Sequence, residues 1–322
     1  MTDTWTWATV TQATPLRIKV DGDTSALDAT TDNLVGSLAV DDRVRVHLHS
    51  DGIIVTGIQG GGNRSNPNLL YNSNFVVNQR DAVSGATVSD DAYFLDRWKN
   101  SSGGSGSTLF TWADAGGLRT LTLGADATPR YMQQTLEQQD MPAGTYALSW
   151  EGTATAGVYI GGSPAYSTSP VTVTLDGSVN VTINVRGEGD TVSNIKLEQG
   201  PVATPYQPPT YGDNLRACER YYVRRTAMTT NTVFGQGSAK STTEIIFQFT
   251  HPVMRAAATM TFTNMRALDG TSLLTVTAMV IRGDGPTEYT ATATVSGATT
   301  YRPYMLQAGD PMPSYIAFSA EL

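Results

Sequence analysis

Cysteine, histidine and charge are all scarce in this 322-residue chain. A single cysteine, Cys218, excludes an intrachain disulfide and a cysteine metal cluster. It reads as a small apolar core residue. Three histidines, His47, His49 and His251, leave little material for a Ser-His-Asp triad or a histidine metal centre. There is no G-x-S-x-G elbow, phosphate-binding loop or H-E-x-x-H. Charged residues make up 16% of the chain and its net charge is −8, which disfavours neutralising the phosphates of a nucleic acid. The one basic cluster, Arg216, Arg220, Arg224 and Arg225, reads as the solvated face of a single helix. No run of roughly 18 apolar residues is present, so no membrane insertion is expected. The opening MTDTWTW has neither a basic nor an apolar signal region, so secretion is not expected. Repeats with periods of about 20–50 residues are also missing, which argues against a long β-helix.

What remains is a charge-poor chain, 40% hydrophobic and rich in threonine and glycine. β-Branched residues pack well on a pleated surface, so the expected class is all-β. Residues 1–60 read as five short strands, at 5–12, 16–20, 26–30, 43–49 and 52–56, which fit an OB-like small barrel. Residues 33–41 could hold one helical turn or a loop. Ser50-Asp51-Gly52 is the expected turn before the last strand. Residues 61–67 form a Gly- and Asn-rich linker. Residues 68–210 alternate in strand-like runs separated by turn signals, the pattern of a β-sandwich. SSGGSGS at 101–107 is read as a loop inside it. Residues 211–226 are expected to hold the one helix, capped by Asp213, with Leu215, Cys218, Tyr221 and Tyr222 along one side. Residues 227–322 read as a second β-sandwich.

Five phrases give the middle of the chain its character: NLLYNSNFVVNQR at 68–80, DRW at 96–98, MPAGTYALSW at 141–150, NIKLEQGPVATPYQP at 194–208 and C-x-RYY at 218–222. In this order they resemble a jelly-roll module of bacteriophage tail fibres and receptor-binding tail-tip proteins, with a more distant likeness to carbohydrate-binding modules. The resemblance covers about residues 66–225. The first 60 residues are more loosely similar to OB-like domains at the N-termini of tail-tip proteins. The likeness implies a virion tail protein rather than an enzyme. It implies a homotrimer that attaches to other tail or baseplate proteins through residues 1–60 and binds a host surface polysaccharide. A purely structural tail or baseplate subunit is the second reading, and a glycan-cleaving tail enzyme the third.

Sugar rings stack their apolar C–H face on exposed aromatics. The candidates are Trp112, Tyr131, Tyr159 and Tyr166 in the jelly roll, and Tyr301 and Tyr304 near YRPYM, where Tyr289 and Tyr315 also lie. Trp98 and Trp150 read as core. Cleavage would need paired carboxylates, for which Glu137, Asp140, Glu151, Glu188 and Asp190 are the material. No cofactor is expected. A structural Ca²⁺ could draw on Asp90, Asp91, Asn72 and Asn74, and the pair His47 and His49 on one strand face could hold a metal across a trimer axis.

Overall fold

The computed structural model describes residues 4–13, 16–26, 31–33, 43–49, 52–58, 66–101, 108–116, 118–124, 129–160, 164–284 and 288–322. The fold is all-β, with one short α-helix among the described residues. It divides into two compact units, Met1–Pro67 with Val202–Gln207, and Asn68–Pro201 with Pro208–Leu322.

The first unit is built on β1 (Thr4–Ala13), β2 (Leu16–Val20), β3 (Thr31–Asn33), β4 (Arg43–His49) and β5 (Gly52–Ile58). Their order is β2-β1-β4-β5-β3, with β3 parallel to β5 and the other pairs antiparallel. Among the described residues this is the strand order of a five-stranded Greek-key barrel, in which β2 and β3 are the two edges. Strand alternation sends Ala8, Val10, Ile18, Val20, Val44, Val46, Ile53 and Val55 into one core. The strand expected at 26–30, the 33–41 segment, the Ser50-Asp51 turn and most of the 61–67 linker lie outside the described residues, as do the side chains of Trp5, Trp7 and His49.

The second unit begins with a two-sheet sandwich. Its strands are β6 (Thr87–Val88), β7 (Tyr93–Leu95), β8 (Trp98–Asn100), β9 (Thr108–Ala115), β10 (Leu118–Leu123), β11 (Arg130–Leu136), β12 (Gly144–Glu151), β13 (Thr155–Tyr159), β14 (Val171–Leu175), β15 (Val181–Gly187) and β16 (Thr191–Gln199). A six-stranded sheet, β14-β12-β16-β10-β9-β6, faces a five-stranded one, β13-β15-β11-β8-β7. Phe110, Leu148, Trp150 and Leu197 of the first meet Trp98, Met132, Ile183 and Val185 of the second in one apolar core.

A second core follows. α1 (Tyr211–Glu219) leads into it, and it is built by β17 (Tyr222–Ala227), β18 (Val233–Ala239), β19 (Glu244–Thr250), β20 (Thr259–Thr263), β21 (Met265–Leu268), β22 (Leu273–Thr275), β23 (Ala278–Asp284), β24 (Glu288–Thr294), β25 (Pro303–Ala308) and β26 (Ser314–Ser319). The sheets are β17-β26-β20 and β22-β21-β25-β18-β19-β24-β23. Phe247, Phe249, Tyr289, Leu306 and Phe318 fill the space between them.

The helix differs from expectation. It ends at Glu219, Arg220 and Tyr221 form a turn, and the YVRRTA that follows becomes β17, paired with β26 from Tyr222↔Ser319 to Ala227↔Ser314. A tyrosine, a valine and a threonine favour a strand once a partner edge is present. The cap is Thr210, whose hydroxyl accepts from the Asp213 N–H, rather than Asp213 itself. The basic cluster is therefore not one helical face. Arg216 is exposed on α1, Arg220 pairs with Glu137, and Arg224 on β17 pairs with Asp81. Thr210→Ala is expected to lower stability by about 1 kcal/mol, read as a shift in the urea midpoint, because one helix N–H loses its acceptor.

Residues 69–77, strand-like in sequence, form a tight loop. Asn72 and Phe75 take left-handed φ of 47° and 59°. The Asn72 side chain, fully buried, closes the loop by accepting from the Val77 N–H and donating to the Val77 and Asp96 carbonyls. Asn68 fastens its start to β16, accepting from the Leu70 and Leu197 N–H groups and donating to Ile195 O. Asn214 of α1 accepts from Asn72 N and donates to Asn74 Oδ1. The asparagine-rich phrase is thus consumed in wiring the first sandwich to α1.

Candidate functional site

Along β11 the pattern RYMQQTL buries Met132 and Leu136 and turns Tyr131, Gln133 and Thr135 outward. Along β15, VTINVRG buries Val181, Ile183 and Val185 and turns Thr182, Asn184 and Arg186 the same way. Register then sets three cross-strand rows on the outer face of β11-β15-β13. They are Tyr131·Arg186·Thr155, Gln133·Asn184·Gly157 and Thr135·Thr182·Tyr159. The rows carry aromatics at both ends of the face and amides between them, with Asn184 largely covered.

Tyr166 joins this face from the segment that follows β13. Its ring centroid lies 5.8 Å from that of Tyr131 at 50°, and the Arg186 guanidinium sits 5.5 Å from the Tyr166 ring. Burial raises the Tyr166 hydroxyl above its ordinary pKa, Tyr131 adds to this and Arg186 opposes it. Gly157 lets the segment lie close to the sheet. A Cβ there would stand 2.6 Å from Ala165 O, and Ala156 and Ser167 exchange both backbone hydrogen bonds beside it. Tyr159 is 43% exposed and lies four residues along β15 from the Tyr131 row, about 13 Å at ~3.3 Å per residue.

Three of the six aromatic candidates, Tyr131, Tyr159 and Tyr166, therefore share one face. Trp112 lies elsewhere, half-buried at the rim of the same sandwich, with the Arg119 guanidinium 4.9 Å from its ring. In the C-terminal sandwich Tyr301 is 87% exposed in a left-handed turn, φ 65°. Tyr304 is not a platform. It is buried, with its hydroxyl accepting from the Thr299 N–H, because β25 turns it inward. Tyr289 is likewise buried, stacked 4.0 Å from the His251 ring. The polar members of the tyrosine face, Arg186, Gln133 and Asn184, did not stand out as candidates in the sequence. The period-2 alternation that placed Tyr131 outward would have placed them beside it.

Several of the other candidates are engaged within the fold. Asn72 and Asn74 spend their oxygens on Val77 N and Asn214, and Asp91 pairs with Lys99 at 2.5 Å, so three of the four expected Ca²⁺ ligands are engaged within the fold. His47 is half-buried, and its expected partner ligand His49 has no described side chain. Among the described residues no group of three His, Cys, Asp or Glu is arranged to hold a metal. Of the carboxylates, Glu137 accepts from Arg220 and from the Tyr221 hydroxyl, both at 2.8 Å, and Glu151 accepts from Asn194. No described helix is long and apolar enough to cross a membrane.

Compared with known proteins, the chain matches no family model and no curated sequence.

Proposed function

We propose that this chain is a bacteriophage tail fibre or tail-tip subunit. Its N-terminal barrel attaches to the tail, and the outer face of β11-β15-β13 recognises a glycan on the host surface. The observation that carries the site is the convergence of Tyr131, Tyr166 and Arg186, with Tyr159 and Gln133 on the same face. Aromatic rings supply rigid area for the apolar face of a sugar, while guanidinium and amide groups satisfy its hydroxyls. Such single sites bind weakly, and a homotrimer would multiply them into useful avidity.

A second reading, a purely structural tail subunit, draws support from a different observation. The phrases that carry the family resemblance are used internally: Asn68, Asn72, Gln79, Asp96 and Arg97 bond to other parts of the fold.

Retention of labelled protein on host and non-host cells separates the two. The full chain is expected to be retained on host cells alone. Tyr166→Ala should lower retention about tenfold, the equivalent of ~1.4 kcal/mol. Gly157→Ala should do the same by lifting the 164–166 segment from the sheet. Wild-type protein that neither binds cells nor blocks infection would leave the structural reading in place.

A further inference from the structure

A cavity of about 340 Å³ opens at the rim of the first sandwich, between the inner side of β9 and the segment from 80 to 93. That is the small end of the roughly 300–1,000 Å³ range of ligand sites, so it suits one ring or one substituent rather than a chain. Its lining includes the stacked rings of Phe94 and Phe110, 4.1 Å apart at 7°, together with Val88, Ala86 and Ala92. Trp112 forms a wall, held in place by Arg119, which is itself tied to Asp114 through two hydrogen bonds and to Phe75 O. Thr87 and Ser89 add hydroxyl-bearing residues to the lining.

We propose that this cavity is a second sugar subsite, specific for a pyranose that carries an apolar methyl substituent, as an N-acetylhexosamine does. This rests on the glycan reading and narrows it. The ring stacks on Trp112, the acetyl methyl enters the cavity against Val83, Ala86 and Ala92, beneath which Phe94 and Phe110 are buried, and the amide meets the hydroxyls of Thr87 and Ser89. Arg80 and Asp81 also line the cavity but are paired with Glu321 and Arg224, so a plain hexose would turn a hydroxyl toward the side chains of Val83, Ala86 and Ala92, which offer no hydrogen bond, and burying a polar group unpaired is unfavourable. One methyl-sized group in an apolar pocket is worth about tenfold or more in discrimination. The subsite is separate from the tyrosine face, since none of Tyr131, Tyr159 or Tyr166 lines it.

The test is calorimetric titration of the full chain with free N-acetylhexosamine and with the parent hexose. It is run on wild type, Trp112→Ala, Ala92→Leu and Tyr166→Ala, beside the cell-retention assay. Wild type is expected to favour the N-acetyl sugar at least tenfold. Ala92→Leu, which fills the cavity, and Trp112→Ala should each erase that preference, and Tyr166→Ala should keep it. Equal affinity for the two sugars, or a preference that survives Ala92→Leu, overturns the subsite. If cell retention then persists and falls only with Tyr166→Ala, the subsite fails while the glycan reading stands. If wild type binds neither sugar nor cells, both fail together.

Discussion

Glu321→Ala is expected to destabilise the second unit by about 3–5 kcal/mol, the usual consequence of leaving buried charge without its partner. The reason lies in where the carboxylate sits. Glu321 follows β26 in the C-terminal sandwich, yet it accepts from Arg80 at 2.8 Å and from Arg97, both in the first sandwich. The Arg97 side chain is wholly buried and that of Arg80 is 16% exposed. Each guanidinium also lies over a tyrosine of the RYY phrase, Arg97 over Tyr221 at 3.6 Å and Arg80 over Tyr222 at 3.7 Å. Removing the carboxylate leaves two cations facing the same space, with the Nε of each already lacking a partner. Replacing Arg80 and Arg97 by Met and Glu321 by Leu together should recover most of the loss, because a buried ion cluster exchanged whole for apolar volume is often near neutral. The exposed pair Lys240–Glu244 is the control, and its removal should cost about 0.5 kcal/mol or less.

The same cluster gives an independent spectroscopic readout. The Tyr93 hydroxyl donates to Leu322 O, and its pKa is pushed up to about 12, first by burial and then by the Glu321 carboxylate. Arg97 and Arg80 pull it the other way. In Glu321→Ala burial and Asp91 still raise it but the carboxylate's share is gone, so Tyr93 should ionise at lower pH than in wild type in an ultraviolet titration. The folded state holds this proton more tightly than the unfolded chain does. The stability it contributes is therefore whole below pH 10.0, the ordinary value, and is lost as pH rises toward 12. Urea midpoints of wild type and Tyr93→Phe should differ in their fall across that window.

This junction explains what the sequence did and did not disclose. Strand periodicity was legible because inward and outward positions alternate: RYMQQTL, VTINVRG and RVRVHLH each announce a strand. The all-β class and the core placing of Trp98 and Trp150 follow from it. The helix end was not legible. DNLRACERYYVRRT keeps apolar residues at helical spacing through Tyr222, and only the open edge of β26 draws YVRRTA into a strand. Local pattern carries no information about an edge contributed from residues 314–319. Tyr304 was misjudged for a related reason. Its neighbours Tyr301 and Arg302 are exposed, but β25 begins at Pro303 and reverses the exposure within one residue. The tyrosine face was partly legible, one strand at a time. Its assembly depends on the register between β11, β15 and β13, which no single stretch contains. The asparagine-rich phrase was the strongest signal in the chain, and its residues are spent on internal hydrogen bonds.

That phrase sets the last expectation. Asn72→Ala should cost about 4 kcal/mol, close to the effect of Glu321→Ala, although it removes no charge. Three backbone groups lose their partners: the Val77 N–H, the Val77 carbonyl and the Asp96 carbonyl. Each buried group left unpaired costs ~1 kcal/mol or more. Alanine at φ 47° adds ~1 kcal/mol, since a Cβ is disfavoured in the left-handed region that asparagine tolerates. Asn72→Asp distinguishes the hydrogen-bond account from the backbone one. Aspartate tolerates the same φ and can still accept from Val77 N, but it turns an oxygen toward two carbonyls that need a donor, so it should be nearly as damaging as alanine. Asn72→Gly relieves the backbone and restores none of the bonds, and should recover only the final ~1 kcal/mol. Urea denaturation of the full chain ranks the three. An aspartate variant as stable as wild type would mean that the loop is held by its turn geometry and by the Trp98 Nε1–Asn72 O bond, not by the Asn72 amide.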